Sequence, residues 1–294
     1  MPSQSWNDVA VLGTGTLGAP MARNMASRGQ SVRAWNRTAE RARFLEGDGV
    51  QVYETPADAV RGAGVVLTML SDAVAVKAVI EEAGALAAME PNAIWLQQST
   101  IGLEATERCC RLAVEAGVAF IDAPVLGTRG PAERGQLVVL ASGPDDAIEA
   151  CANVFEATAR TVLRRGAAGG GTRLKLVINA WLLSLVEVLS ESVAFSRAMD
   201  IDPEVFFDAI EQGGVSLPYV RLKGGAMVRE EFPPDFTLHL ARKDLALVLD
   251  AAASARLPLR IVETALRQFD RAIALGHGGD DYAATYFATR TQSS

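Results

Sequence analysis

The segment Asp8–Gly18, DVAVLGTGTLG, decides the fold. Asp8–Gly13 is a short apolar run of strand character, and Leu17–Arg28 carries apolar residues at helical spacing. Between them lies Gly13-Thr14-Gly15-Thr16-Leu17-Gly18, a GxGxxG element. Alone it is weak, because 26 glycines produce near-matches by chance. Set between a strand and a helix it gains a mechanism. Gly13 makes the tight turn, Gly15 lets the backbone approach a pyrophosphate, and Gly18 permits close helix–strand packing. The helix N-terminus adds free N–H groups and a positive dipole end for phosphates. Thr14, Thr16 and Leu17 complete the expected cofactor loop.

Outward from this segment, strand and helix patterns alternate. Gln30–Trp35, Ala63–Met69, Ala93–Gln98 and Val118–Asp122 read as strands, and Ala39–Glu46 as a helix. Gly135–Ala141 reads as a late strand and Asp145–Ala157 as a further helix. Continuous apolar strands alternating with helices imply a parallel sheet covered on both faces. After a glycine cluster at Gly166 and Gly169–Gly171 the pattern becomes helical. Thr172–Met199 lacks Gly and Pro, and as a helix its 28 residues extend roughly 42 Å. Apolar residues on most of its faces predict a central buried helix. Pro203–Gly213, Phe236–Ala255 and Pro258–Leu275 supply three more. The fold class is α/β: an N-terminal doubly wound domain over residues 1–165, followed by an all-α domain over 166–294 with a long central helix.

Composition narrows the function. The 294 residues are 49% hydrophobic and 21% charged, as in a globular protein of two domains. A net charge of −7 without long runs of one sign argues against nucleic acid and anionic lipid as partners. Cys109, Cys110 and Cys151 form neither a disulfide framework nor a metal-ligand spacing, and two histidines allow no zinc pattern, so no metal is expected. The N-terminal MPSQSWNDVAVLG has no signal-peptide pattern. Leu174–Leu189, interrupted by Lys175, Asn179 and Glu187, reads as too polar and too short to span a bilayer. A cytoplasmic enzyme is the expectation. The C-terminal Asp280–Ser294 is either a tail packed on a neighbour or a frayed end.

The second strand ends in Trp35-Asn36-Arg37-Thr38. An NAD-selective site places Asp or Glu here for the ribose hydroxyls, and such a carboxylate repels a 2′-phosphate. Asn36, Arg37 and Thr38 offer a neutral amide, a cation and a hydroxyl instead, which favours NADP(H), with NADPH preferred over NADH. Arg37 as a solvated surface charge is the plain alternative.

Taken together, Val11–Met25, Asn36-Arg37-Thr38, Met69-Leu70-Ser71-Asp72, Ser99-Thr100-Ile101, Asp122-Ala123-Pro124-Val125, Gly169-Gly170-Gly171 with Lys175 and Asn179, and Arg242-Lys243-Asp244-Leu245 resemble the β-hydroxyacid dehydrogenase family. That family includes 3-hydroxyisobutyrate dehydrogenases, tartronate semialdehyde reductases and glyoxylate/succinic semialdehyde reductases. The resemblance covers almost the whole chain, and PAERGQLVVLASG from Pro131 is most similar to the last branch. It implies a Rossmann domain, a helical domain that dimerises, a cleft between them, and a homodimer or homotetramer.

It also implies roles. Lys175 matches the lysine that protonates the carbonyl oxygen of a small-molecule substrate as the nicotinamide delivers hydride. From the residues alone, Lys175 and Asn179 are spaced i, i+4 on one helix face, and a lysine on an apolar helix is costly to bury without a purpose. A snorkelling lysine is the alternative there. Desolvation can bring such an amine toward working pH. Asn179 would bind substrate or hold the ammonium. Met69 and Leu70 match positions at the adenosine half, Thr100 one beside the nicotinamide, and Lys243 one at the cofactor end of the cleft. Val125, Leu126, Gly127 and Thr128 fall in the substrate loop. The chain departs from the pattern at position 126, where Leu replaces Ser, and at 178, where Ile replaces Asn. Gly127, Thr128 or Arg129 would supply replacement donors, although Arg129 equally well points to solvent. The implied activity is reduction of small aldehyde acids (glyoxylate, succinic semialdehyde or a methylmalonate-type semialdehyde), or the reverse oxidation of 3-hydroxy acids. An imine reductase and a non-catalytic NADP-binding scaffold are the alternatives.

Overall fold

A computed structural model describes residues 7–290. The first six residues of the N-terminal stretch and the last four of the C-terminal segment lie outside them. The chain divides into two compact units, Met1–Lys175 and Leu176–Ser294.

The first unit contains strands β1 (Asp8–Leu12), β2 (Ser31–Trp35), β3 (Gln51–Val52), β4 (Val65–Thr68), β5 (Ile94–Gln97) and β6 (Ala119–Asp122) in the order β3-β2-β1-β4-β5-β6, all parallel. The order reverses next to β1, which puts the GxGxxG turn at the topological switch point where open α/β sheets bind ligands. Alternation along β1 explains why both faces are covered. Val9 and Val11 join one apolar core with Met21 and Met25, while Ala10 and Leu12 join another with Val66, Ile80 and Trp95. Helices α1 (Gly18–Ser27), α2 (Glu40–Arg43), α3 (Pro56–Val60), α4 (Ala73–Lys77) and α5 (Leu103–Glu115) intervene between the strands.

Beyond β6 the chain builds a second sheet that sequence patterning does not anticipate. Strands β7 (Val125–Leu126), β8 (Leu137–Ala141) and β9 (Ala159–Arg164) pair in that order, antiparallel and then parallel. Helix α6 (Arg129–Glu133) lies between β7 and β8. The helix expected over 145–157 is two, α7 (Asp145–Ala150) and α8 (Ala152–Thr158), broken at Cys151.

Helix α9 (Gly170–Ala198) begins in the first unit, and its remainder opens the second. The division falls after Lys175, ten residues beyond residue 165 and four beyond the last glycine of the cluster. The first turn belongs with the sheets because the Gly171 and Thr172 N–H groups bond to Ser142 and Asp122. The expectation that α9 is too polar and too short to span a membrane is corrected. By length and composition it qualifies, with an 18-residue window of mean hydropathy 1.6. A buried core helix meets the same criterion, and 44% of that window is buried within the protein. Its polar residues Asn179 and Glu187 are themselves buried with partners, as detailed below.

The second unit continues with α10 (Pro203–Gln212), α11 (Pro218–Arg229), α12 (Leu238–Ser254), α13 (Arg260–Ala272) and α14 (Tyr286–Thr289). Patterning misses the short α14 and, more notably, helix α11, because Gly224 and Gly225 read as breakers. Gly224 is required instead: a Cβ there would sit 2.5 Å from the Phe207 ring. The described part of the C-terminal segment is packed, not frayed. Tyr282, Ala283, Ala284 and Tyr286 are buried, and Asp281 accepts from Lys223 Nζ at 2.7 Å.

Candidate active site

The three glycines of the β1–α1 turn have distinct surroundings. Gly13 has φ +104°, and a Cβ there would meet the Met69 carbonyl oxygen at 2.4 Å. At Gly18 a Cβ would lie 1.9 Å from the Gly13 carbonyl oxygen. Both positions exclude any side chain. Gly15 differs, since nothing lies within 4 Å of a Cβ built there. The turn thus closes tightly on its own strand and leaves bare backbone facing open space, beside the uncapped N-terminus of α1. That arrangement fits a phosphate-bearing cofactor. Thr16 is exposed and Leu17 half-buried at the same end.

Thr14 and Asn36 bond to each other across the turn. The Thr14 N–H donates to Asn36 Oδ1 at 3.1 Å and its hydroxyl to the Arg41 carbonyl at 2.9 Å, while Asn36 Nδ2 donates to the Thr38 carbonyl at 2.9 Å. The pair locks the glycine turn to the end of β2. Arg37 and Thr38 are exposed at that end, where no carboxylate occupies positions 36–38.

Met69 and Leu70 abut the turn from β4, with a Leu70 methyl 2.9 Å from the hypothetical Gly13 Cβ. A buried polar chain fixes this segment and the one carrying Thr100. Trp95 Nε1 donates to Thr68 Oγ1, which donates to Gln97 Oε1, which accepts from the Ser99 N–H. Ser99 Oγ in turn accepts from the Leu70 N–H at 2.8 Å. Half-buried Thr100 follows directly. Gln97, Thr68 and Ser99 were not expected to matter; polar residues at the ends of apolar strands were the available signal.

In the loop after β6, Val125 is buried and Leu126 half-buried, as neighbours in β7 on opposite faces. Gly127 has φ +126° and is pressed against Leu137 and Pro131, so its backbone conformation is restricted to glycine. Thr128 is half-buried at the start of α6, and Arg129 is exposed. Lys175 reaches this loop: Nζ donates to the Val125 carbonyl at 2.8 Å. A single side chain from α9 is thus anchored, by its charged end, on the loop that departs from the family pattern.

In the second unit Asn179 is buried, and Nδ2 donates to Asp244 Oδ2 at 2.8 Å. Lys243 Nζ lies 2.9 Å from Asp244 Oδ1. Asp244 is 2% exposed, so this is a buried pair and not a solvated one. It orients both residues and was itself unassigned. Among the described residues no cluster of His, Cys, Asp and Glu could hold a metal. The three cysteines are free thiols, with burial pushing Cys109 and Cys151 up to about 12.

The fold and the glycine turn define a dinucleotide-dependent oxidoreductase with a sheet domain and a helical domain. Comparison with known proteins sharpens this. Residues 8–166 match the family model for the NAD binding domain of 6-phosphogluconate dehydrogenase. Residues 169–288 match that for the NAD-binding domain of NADP-dependent 3-hydroxyisobutyrate dehydrogenase. The chain is 28% identical to glyoxylate/succinic semialdehyde reductase 1 of Arabidopsis thaliana over 96% of its own length and 98% of the relative's. It is 31% identical to an uncharacterized oxidoreductase of Bacillus subtilis over 94% and 97%. The solved 3-hydroxyisobutyrate dehydrogenase of Mycobacterium tuberculosis, with L-serine, superposes with a TM-score of 0.87 at 26% identity, covering 96% of this chain and 99% of that one. The chain belongs to the β-hydroxyacid dehydrogenase family, of the 3-hydroxyisobutyrate dehydrogenase type, and is an NAD(P)-dependent oxidoreductase.

Proposed function

We propose that this protein reduces small aldehyde acids such as glyoxylate or succinic semialdehyde with NADPH, and that Lys175 is the general acid. The observation that carries this reading is the 2.8 Å bond from Lys175 Nζ to the Val125 carbonyl, which holds an ammonium at the substrate loop. The Arabidopsis relative bears the name of that activity. Gly13, Gly15, Thr16, Leu17 and Gly18 would hold the cofactor's phosphates, Met69 and Leu70 its adenosine half, and Thr100 and Lys243 its nicotinamide end. Bound nicotinamide supplies hydride for the carbonyl carbon. Lys175 gives its proton to the carbonyl oxygen as the C=O π bond breaks, and the neutral amine regains a proton from solvent. In the oxidative direction it takes the alcohol proton instead.

Arg37, with Asn36 and Thr38, supports the 2′-phosphate preference, since no carboxylate stands at the end of β2 to repel it. Asn179, held by Asp244, would bind substrate as a donor through its second amide hydrogen. The backbone of Gly127 and the Thr128 hydroxyl would receive the substrate carboxylate. Leu126 favours a second reading, a less acidic substrate such as a cyclic imine, because it removes a hydroxyl from that loop. Helix α9 leaves Val177, Trp181, Val188 and Phe195 exposed along one side, and a second copy of the chain covering this stripe makes a homodimer, testable by light scattering.

The test is a panel of aldehyde acids, ketones and cyclic imines, read by NADPH and NADH oxidation, on the wild type and Lys175→Ala. Loss of a proton donor is expected to lower kcat by about two to four orders of magnitude and to leave the NADPH KM unchanged. Turnover of imines alone, or a preference for NADH, would replace the corresponding part of the reading.

A further inference from the structure

Asp122, the last residue of β6, is fully buried and lies fifty residues from its main partner. Its Oδ2 accepts from the Thr172 N–H at 2.8 Å and its Oδ1 from the Thr172 hydroxyl at 2.7 Å. Ser142 Oγ donates to Oδ2 at 3.1 Å and itself accepts from the Gly171 N–H at 2.9 Å. Two backbone N–H groups that α9 cannot satisfy internally are therefore satisfied from another element. A carboxylate there also faces the positive end of a 29-residue helix.

The same short loop grips the helix a second time. Three residues after Asp122, the Val125 carbonyl accepts from Lys175 Nζ. Thr172 and Lys175 are one turn apart, about 4.5 Å along the axis. Asp122, Thr172, Lys175 and Val125 thus form a closed circuit through chain and hydrogen bonds, stiffened by Pro124 between its two loop members. Gly171 lets the helix start this close, since a Cβ there would lie 2.1 Å from the Leu140 carbonyl oxygen.

We infer that Asp122 is a positioning residue for the proposed proton donor: it caps α9 from β6 and fixes where along the substrate loop the Lys175 ammonium stands. The inference rests on the reading of Lys175 as general acid. Its amide replacement removes the negative charge facing the start of α9, and with Oδ1 kept on the Thr172 N–H it sets Nδ2 against the Thr172 hydroxyl, which must turn to accept, so the first turn of α9 is held less firmly. A displacement of about 1 Å at a reacting group is enough to cost up to about a hundredfold in rate.

The experiment is a double-mutant cycle in kcat over wild type, Asp122→Asn, Lys175→Ala and the double variant, with thermal unfolding in parallel. Asp122→Asn is expected to lower kcat about ten- to a hundredfold at an unchanged NADPH KM. In the Lys175→Ala background the same change is expected to leave residual turnover within about twofold, because residues acting as one unit are not additive. Thr172→Val is expected to lose part of the rate and Thr172→Ser to restore most of it. An equal loss in both backgrounds, or no loss in wild type, overturns the inference. Near-normal kcat in Lys175→Ala overturns the reading of Lys175 instead. If Asp122→Asn does not fold, Thr172→Val takes its place in the cycle with the same two outcomes.

Discussion

Two buried carboxyls meet α9, one at its first turn and one in its middle, and they have opposite surroundings. Asp122 is met by two donors from Thr172 and one from Ser142. Glu187 has the Thr285 hydroxyl on one oxygen, while its Oε1 has no hydrogen-bond partner among the described residues. The hydroxyls of Ser184 and Ser190, one helical turn to either side, are also unpartnered. Burial pushes both acids up. At Asp122 the donors from Thr172, Ser142 and Gly169 oppose the rise. At Glu187 burial dominates, opposed by the Thr285 and Thr289 hydroxyls and aided by Glu191, and the carboxyl reaches about 7. Burial alone does not set the role of an acid; the donors converging on it do. The first arrangement suits an anion that orders a helix end, and the second suits a group that is neutral over much of the physiological range.

The largest expected effect breaks the first arrangement. Asp122→Ala strands the Thr172 N–H in the interior, leaves the Thr172 hydroxyl only Thr106, and should cost about 3 kcal/mol, read as a lower urea midpoint at pH 7. An unchanged midpoint would mean the cap contributes nothing. Glu187→Gln should act in the other direction. A carboxyl whose folded value lies above its ordinary 4.5 binds its proton more tightly when folded. The native state therefore loses stability as pH rises from about 4.5 to about 7, and the loss persists above that. The shift corresponds to a cost on the order of 3 kcal/mol at alkaline pH, of which Gln should recover a part. The signature is a Tm higher than wild type at pH 8 but not at pH 4, with a flatter profile between; parallel profiles would sink it. The smallest effect is expected at Ser190, buried and unpartnered. Ser190→Ala should change stability by less than about 0.5 kcal/mol or raise it slightly, since no bond is lost. A large loss in calorimetry would show a hidden partner there and weaken the contrast.

What could be read in the sequence was local. The strand–GxGxxG–helix element placed the cofactor turn because each glycine answers to neighbours within a few residues or to the adjoining strand. The long α9 announced itself by lacking Gly and Pro, and Lys175 by standing on an apolar surface. The sequence could not show that Asn36 is spent on Thr14, since that bond joins two strand ends 22 residues apart. Nor could it show Asp122 reaching Thr172, or Asp244 reaching Asn179, across fifty and sixty-five residues. Helix α11 was hidden by the pair Gly224-Gly225, of which Gly224 serves close packing on Phe207, although Pro218 at its first turn was a usable start signal. The β7–β9 sheet was hidden because β7 is two residues long and β9 is half-exposed and arginine-rich.

The native sulfhydryls have a practical consequence. With Cys109 and Cys151 held at about 12 and Cys110 also raised by burial, little thiolate exists at neutral pH to attack an alkylating dye. A cysteine introduced on an exposed face of either domain would therefore take a fluorescent label almost alone, and distances between two such labels could be followed during turnover without first stripping the protein of its own sulfur.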